Sequence, residues 1–328
     1  MVIILAELRW HPLIKDWVMI ASQRQGRPQM PKDWCPFCPG SGKVPDHFDV
    51  YEYDNDFPTL SMDPPEPDDV ATDFFQVRPA YGKCEVILYS PEHNITLAEL
   101  SVTHIRKLVN LWVERFNMIK QDEKIKYIFI FENRGDVVGV TMPHPHGQIY
   151  GYSVMPKKLQ LELEACEEHY EEKGSCLLCD MLGAEQAFEK RIIFENEHFT
   201  CFLPFFTEYP YGVYIMSKAH KGDISEFNDA EKDQLATMLK ETVGMLDALF
   251  GYRFPYMMCM HNAPVNSKDT SDYYHFHIEF FPPMRNAEKQ KFNASSETGA
   301  WAHCNPTCPE KKAEELREAH QKYLLTLK

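Results

Sequence analysis

The chain has 328 residues, 44% hydrophobic and 13% aromatic, which is enough apolar material for a large core and excludes an extended or disordered protein. Its formal charge is −15, from 34 Lys and Arg against 49 Asp and Glu. Broad adhesion to nucleic acid or to an anionic membrane is thereby disfavoured, whereas a phosphate-bearing small molecule held by a local group of donors is not.

The apolar start at residues 2–5 meets Glu7 and Arg9 at once, so it is too short for a signal peptide. No run of about 20 apolar residues follows, and a cytoplasmic location is expected. In that compartment the ten cysteines point to metal sites and inert buried thiols rather than to disulfides. Arg24 and Arg27 form the first cluster able to hold a phosphate, and Cys35 and Cys38 the first Cys-x-x-Cys pair. Residues 61–70, with three prolines and four acidic side chains, read as an exposed loop prone to disorder.

A β-rich run at 81–89 ends in Ser90-x-x-His93, and a helix follows with Ile105, Leu108, Val109, Trp112 and Phe116 on one face. A strand at 127–132 leads to Asn133, and the segment closes on His144-Pro145-His146-Gly147-Gln148. An acidic helix is expected over 162–170, and then the order repeats. Cys176 and Cys179 precede a β-rich run ending in Ser217-x-x-His220, a helix with Leu235, Met238, Leu239 and Leu246 inward, a strand at 255–260, Asn262, and His275-x-His277. Equivalent positions lie 127 to 141 residues apart, a drift that loop insertions explain. The chain therefore reads as α+β and duplicated, with antiparallel sheets and packed helices, its halves spanning 1–155 and 156–328. A last helix over 310–328 should bury Leu316, Tyr323, Leu324 and Leu327. Cys84, Cys166, Cys201, Cys259, Cys304 and Cys308 read mostly as core thiols, the last two, beside His303, less firmly than the others.

Each half offers two thiols and two imidazoles, the ligand set tetrahedral zinc prefers: Cys35, Cys38, His93 and His144, then Cys176, Cys179, His220 and His275. Four protein ligands leave no position for substrate, so both sites read as structural. A rival for the second is the harder set Glu162, His261, His275 and His277, and that metal is zinc or iron. With His144 tied to metal, His146 is left to work. Neutral imidazole attacks phosphorus without a helper base, and Gln148, two residues along the same strand face, can donate to a phosphoryl oxygen as charge builds there. In the second half Glu279 stands where Gln148 does, and a carboxylate repels phosphate. Chemistry is expected in the first half, and the second should be silent.

These residues resemble the galactose-1-phosphate uridylyltransferase family of the histidine-triad superfamily. The likeness runs from His11-Pro12-Leu13 and Trp34-Cys35-Pro36-Phe37-Cys38 through Asn55-Asp56-Phe57-Pro58, Glu132-Asn133-Arg134-Gly135 and His144-Pro145-His146-Gly147-Gln148 to His275-Phe276-His277. It implies histidine-triad-like halves and a ping-pong reaction. His146 would take the uridylyl group of a UDP-hexose and pass it to a second hexose 1-phosphate, in galactose metabolism. By the same resemblance Asn55, Asp56 and Asn133 contact nucleoside or phosphates, Arg24 and Arg27 the phosphates, and Thr141 stands where the family has a serine. Lys291 and Phe292 complete the neighbouring subunit's hexose site, which implies a homodimer. Residues 293–299 differ from the best-known members, so the acceptor sugar stays open. Two alternatives remain: an ADP-sugar phosphorylase or adenylyltransferase using the same histidine, and a zinc-stabilised nucleotide-binding protein without turnover.

Overall fold

A computed structural model describes residues 6–22, 24, 34–140 and 142–328. Its centre is a nine-stranded antiparallel sheet built from β3 (Tyr51–Asp54), β5 (Gly82–Leu88), β6 (Tyr127–Arg134), β7 (His146–Tyr152), β8 (Ile192–Glu195), β9 (Phe199–Phe202), β10 (Tyr214–Ser217), β11 (Tyr256–His261) and β12 (His277–Phe281). The order across it is β3-β5-β7-β6-β11-β12-β10-β9-β8. Outward from the β6–β11 seam, the repeated sequences take matching places: β6 answers β11, β7 answers β12, and β5 answers β10. A smaller sheet, β2-β1-β4, joins β1 (Ala6–His11), β2 (Asp16–Ala21) and β4 (Val77–Pro79).

Strand alternation sorts the two faces of the large sheet. Ile87, Ile128, Ile130, Ile149, Ile215, Met258 and Ile278 point to one side and are buried under α1 (Val102–Ile119) and α4 (Asp229–Phe250). The inward residues expected of both helices are all buried. Ser101 caps α1 by accepting from the His104 amide, and Asn228 and Glu231 form a reciprocal capping box on α4. Two further helices, α2 (Lys157–Lys173) and α3 (Leu177–Phe188), pack on the opposite face of the second half, around Cys166, Phe202, Met216 and Tyr274. The small sheet covers that face in the first half, on Cys84 and Tyr150. The acidic helix expected over 162–170 is the middle of α2.

The short α5 (Ser295–Ala300) precedes the last helix, α6 (Pro309–Thr326), which lies across α4. The two backbones approach so closely that a Cβ on Gly244 would sit 2.2 Å from the Tyr323 ring. Leu316 and Tyr323 are buried as expected, but Leu324 is only half-buried and Leu327, which follows the last residue of the helix, is exposed. Cys84, Cys166 and Cys201 are core thiols and Cys259 is half-buried, whereas Cys304 and Cys308 are exposed, in the segment between α5 and α6. Residues 61–70 form a surface loop, held at Asp68, whose amide donates to Glu7 Oε2 at 2.9 Å. No described helix is long and apolar enough to cross a membrane.

Candidate active site and metal centres

β7 begins at His146, so His144 lies just outside the strand, and the two rings part company there. His144 is buried. Its Nε2–H donates to the Ser90 carbonyl at 2.8 Å, which leaves Nδ1 facing Cys35 Sγ at 3.8 Å and Cys38 Sγ at 3.6 Å. His93 Nδ1 approaches Cys38 at 3.4 Å. All four ligand atoms lie within 4.8 Å of one another. Zinc bonds of about 2.0–2.3 Å in a tetrahedron need ligand separations of roughly 3.3–3.8 Å, so this set fits the ion. Burial pushes the His144 pKa down to about 4 and the Cys35 thiol up to about 11. The imidazole is therefore neutral and ready to ligate, while a buried thiolate calls for a cation beside it.

The second half repeats this arrangement. Cys179 Sγ lies 3.1 Å from His220 Nδ1 and 3.2 Å from His275 Nδ1, and Cys176 completes the set within the same 4.8 Å limit. Ser217 Oγ and the Ser271 carbonyl hold the far nitrogens of His275 and His220. Cys176 precedes α3 and Cys179 sits in its first turn, a placement that turns both sulfurs to the same side. The hydrogen bond from Cys179, with His220 beside it, lowers the Cys176 pKa to about 5.

The rival set for this centre does not assemble as expected. His275 belongs to the thiols, and Glu162, His261 and His277 gather instead with Glu279. His261 Nδ1 lies 2.9 Å from Glu162, and His277 Nε2 lies 3.6 Å from Glu162 and 3.5 Å from Glu279. Burial works to raise the Glu162 pKa, but His261 and His277 prevail and hold it near 2. Both carboxylates are thus charged in a buried pocket, a donor set suited to a harder divalent ion. Glu279, read from the sequence only as the counterpart of Gln148, joins this set because Glu162 on α2 and His261 on β11 meet it in space, and its alternation with His275 and His277 along one segment was the available signal.

The His146 ring donates from Nδ1 to the His144 carbonyl at 2.7 Å, which fixes the tautomer with its basic lone pair on Nε2. Gln148 projects from the same face, and the Tyr150 hydroxyl donates to its Oε1 at 3.2 Å, which engages the amide oxygen and not its N–H group. Phe131 pairs with Gln148 across the ladder, so Asn133, two residues on, shares that face. Asn133 and His146 line one cavity of about 180 Å³. Phe37 stands 5.7 Å from the His146 ring and 5.3 Å from Tyr53, giving an aromatic wall that sequence reasoning did not single out. Tyr53 donates to Asp56 at 2.7 Å, while Asn55 accepts from the Phe57 amide and so also shapes a turn. Arg24 sits beside Tyr150: burial raises that phenol's pKa and the guanidinium draws it back. Arg27 and Thr141 lie outside the described residues. Lys291 and Phe292 are not brought to His146. Lys291 lies over the Tyr209 ring at 4.9 Å, and Phe292 is 72% exposed.

Comparison with known proteins places this geometry. Residues 3–156 match the family described as galactose-1-phosphate uridyl transferase, N-terminal domain, and residues 162–325 the corresponding C-terminal domain. A galactose-1-phosphate uridylyltransferase of Thermotoga maritima is 42% identical over 95% of this chain and 98% of its own. Among solved structures, a uridylyltransferase superposes with a TM-score of 0.90 at 34% identity, covering 97% of this chain and 99% of that one. An ADP-glucose phosphorylase from Arabidopsis thaliana, solved with bound ADP-glucose, gives 0.72 at 26% identity over 95% and 99%.

Proposed function

The chain belongs to the galactose-1-phosphate uridylyltransferase family, nucleotidyltransferases acting on UDP-sugars and sugar phosphates in galactose metabolism, and from this premise we propose that it works by double displacement at His146. The observation that carries the mechanism is the His146 ring at the head of β7, its Nδ1–H held by the His144 carbonyl and the Gln148 amide on the same face. Nε2 attacks the α-phosphorus of UDP-glucose. A P–N bond forms as the bond to the bridging oxygen breaks, and glucose 1-phosphate leaves with that electron pair. The imidazole becomes cationic in the adduct, and the His144 carbonyl stabilises its remaining N–H. Gln148 donates to a non-bridging oxygen, where negative charge grows. The phosphate of galactose 1-phosphate then attacks the same phosphorus, and His146 departs neutral.

Asn133, Asp56, Asn55 and Arg24 contact the nucleotide on this reading, and the family resemblance assigns Arg27 and Thr141 to its phosphates. A homodimer supplies Lys291 and Phe292 to the partner's sugar. Zinc in the two Cys₂His₂ sets supplies structural cross-linking, and a harder divalent ion, iron among the candidates, suits Glu162, His261, His277 and Glu279. The second half is catalytically silent because His277 Nε2 faces two carboxylates where His146 would meet a phosphate.

The ADP-sugar alternative keeps one observation in its favour, the likeness to the ADP-glucose phosphorylase. Incubation with UDP-glucose or ADP-glucose labelled at the α-phosphate separates the two. Label should pass from UDP-glucose to His146 and vanish in His146→Ala; transfer from ADP-glucose alone would overturn the uridylyl reading.

A further inference from the structure

The cavity beside His146 reaches through the sheet end to the helix-covered face, where it meets three buried polar atoms without hydrogen-bond partners among the described residues: Tyr89 Oη, Glu132 Oε2 and Arg134 Nη1. Tyr89 and Glu132 are both more than nine-tenths buried. A buried polar atom left unpaired is costly, so three around one space mark it as a polar site rather than a packing defect. At about 180 Å³ the cavity accommodates several waters, each of which needs two to four polar partners.

Tyr89 also grips the segment that bears His146. Its amide donates to the Pro145 carbonyl at 3.0 Å, and its hydroxyl lies directly under Gly147, where a Cβ would come within 2.4 Å of it. Glu132 is fixed from the other side by the Tyr256 hydroxyl at 2.9 Å. A continuous path thus runs from β11 through Glu132 and Tyr89 to the residues on either side of His146.

We propose that this cavity is a positioning subsite of the transfer reaction, in which the Glu132 carboxyl and the Tyr89 hydroxyl, facing each other at its edge, brace the Pro145–Gly147 segment that aims His146. The inference rests on His146 being the nucleophile. The groups facing Glu132 are Tyr89 after β5, Arg134 on its own strand, Tyr256 on β11 and Asp247 on α4; Arg253, His144 and Asp136 line the rest of the cavity. Arg134 is committed to Asp247 by bonds of 2.7 and 2.8 Å, and its charge, with the Tyr256 and Tyr89 hydroxyls, offsets the burial of Glu132 only in part. Burial accordingly raises the Glu132 pKa to about 7, and its acid form can donate across the cavity at neutral pH.

Single-turnover uridylylation of the full enzyme by UDP-glucose tests this. Glu132→Leu fills the space without hydrogen bonding and should slow the step about tenfold, as should Tyr89→Phe, while Glu132→Gln restores the rate to within about threefold of wild type. KM for UDP-glucose should stay within about twofold throughout, because the cavity braces the nucleophile and not the substrate. The wild-type rate should also fall as pH rises through about 7, a descending limb that Glu132→Gln removes, and should Glu132→Leu fail to fold, Tyr89→Phe and this limb still decide. Wild-type rates in Tyr89→Phe, losses confined to KM, or a descending limb that persists in Glu132→Gln would each overturn the proposal. Absence of label on His146 in the wild type would instead refute the nucleophile assignment.

Discussion

His144 and His146 carry the same side chain to different ends because their Nδ1 atoms meet different partners, thiols in one case and a backbone carbonyl in the other. The grouping of His144 with Cys35, Cys38 and His93 was legible in the sequence, since a Cys-x-x-Cys pair and a distant histidine leave a place for a fourth donor. Glu132 was not legible. Beside Asn133 it reads as one more strand residue, and only the register of β6 against β11 shows it facing Tyr256 rather than water. Its burial makes a prediction about stability. The folded pKa is raised to about 7 from an ordinary 4.5. Between those values the folded state keeps a proton that the unfolded chain has lost, so this group's contribution is complete below pH 4.5 and disappears as pH rises through 7. Glu132→Gln should flatten that part of the stability–pH curve, gaining on wild type by on the order of 3 kcal/mol between pH 4.5 and 8. Denaturant melts across this range measure it, and parallel curves for the two proteins would show that Glu132 ionises normally.

Among elements, the two thiol–imidazole clusters show how local segments are tied to the sheet. The Cys35 loop has little regular structure, and its apolar contacts are limited to a small cluster with Phe37, Val44, Tyr53, Val86 and Leu88. Its attachment to His93 and His144 anchors it two residues from His146, and with it the Phe37 wall. The second pair is carried by α3, which already packs through Leu178 and Leu182. Repetition of four polar landmarks made both sets legible, but the close approach of α6 to α4 at Gly244 was not, because a glycine within a helical pattern does not announce what lies beside it. Zinc analysis should find two equivalents in the wild type and one in Cys35→Ser. Because its loop has the smaller apolar support, that variant should also melt earlier and lose uridylylation along with its metal. An inactive Cys35→Ser enzyme that retains both zinc ions would contradict the structural assignment.

Over the whole molecule, duplication predicts two units, yet the structure joins them more tightly than two separate cores would be. The β6–β11 ladder pairs Ile130 through Arg134 with Met260 through Tyr256 in the interior of the nine-stranded sheet, with one face buried under the helices. One hydrophobic cluster takes in Ile87, Trp112 and Ile149 from the first half and Leu239, Met258 and Phe280 from the second. Polar ties cross the same seam. Arg134 binds Asp247 through two bonds, Arg106 reaches Asp229 and Asp233, and the Asn266 amide donates to the carbonyls of Lys120, Asp122 and Ile125. Exposing either half alone would uncover a central strand edge and half of that cluster, a cost neither half can meet by itself. The metal-loaded protein should therefore unfold in one calorimetric transition whose measured enthalpy matches the van't Hoff value. Two resolved transitions, or a stable fragment ending near residue 155, would mean that the halves fold independently and that the seam is an interface between domains. Arg134→Met offers the sharper form of the test. It leaves Asp247 buried without its partner and should destabilise the protein by about 3–5 kcal/mol, while keeping a single transition if the ladder and shared core are what hold the halves together.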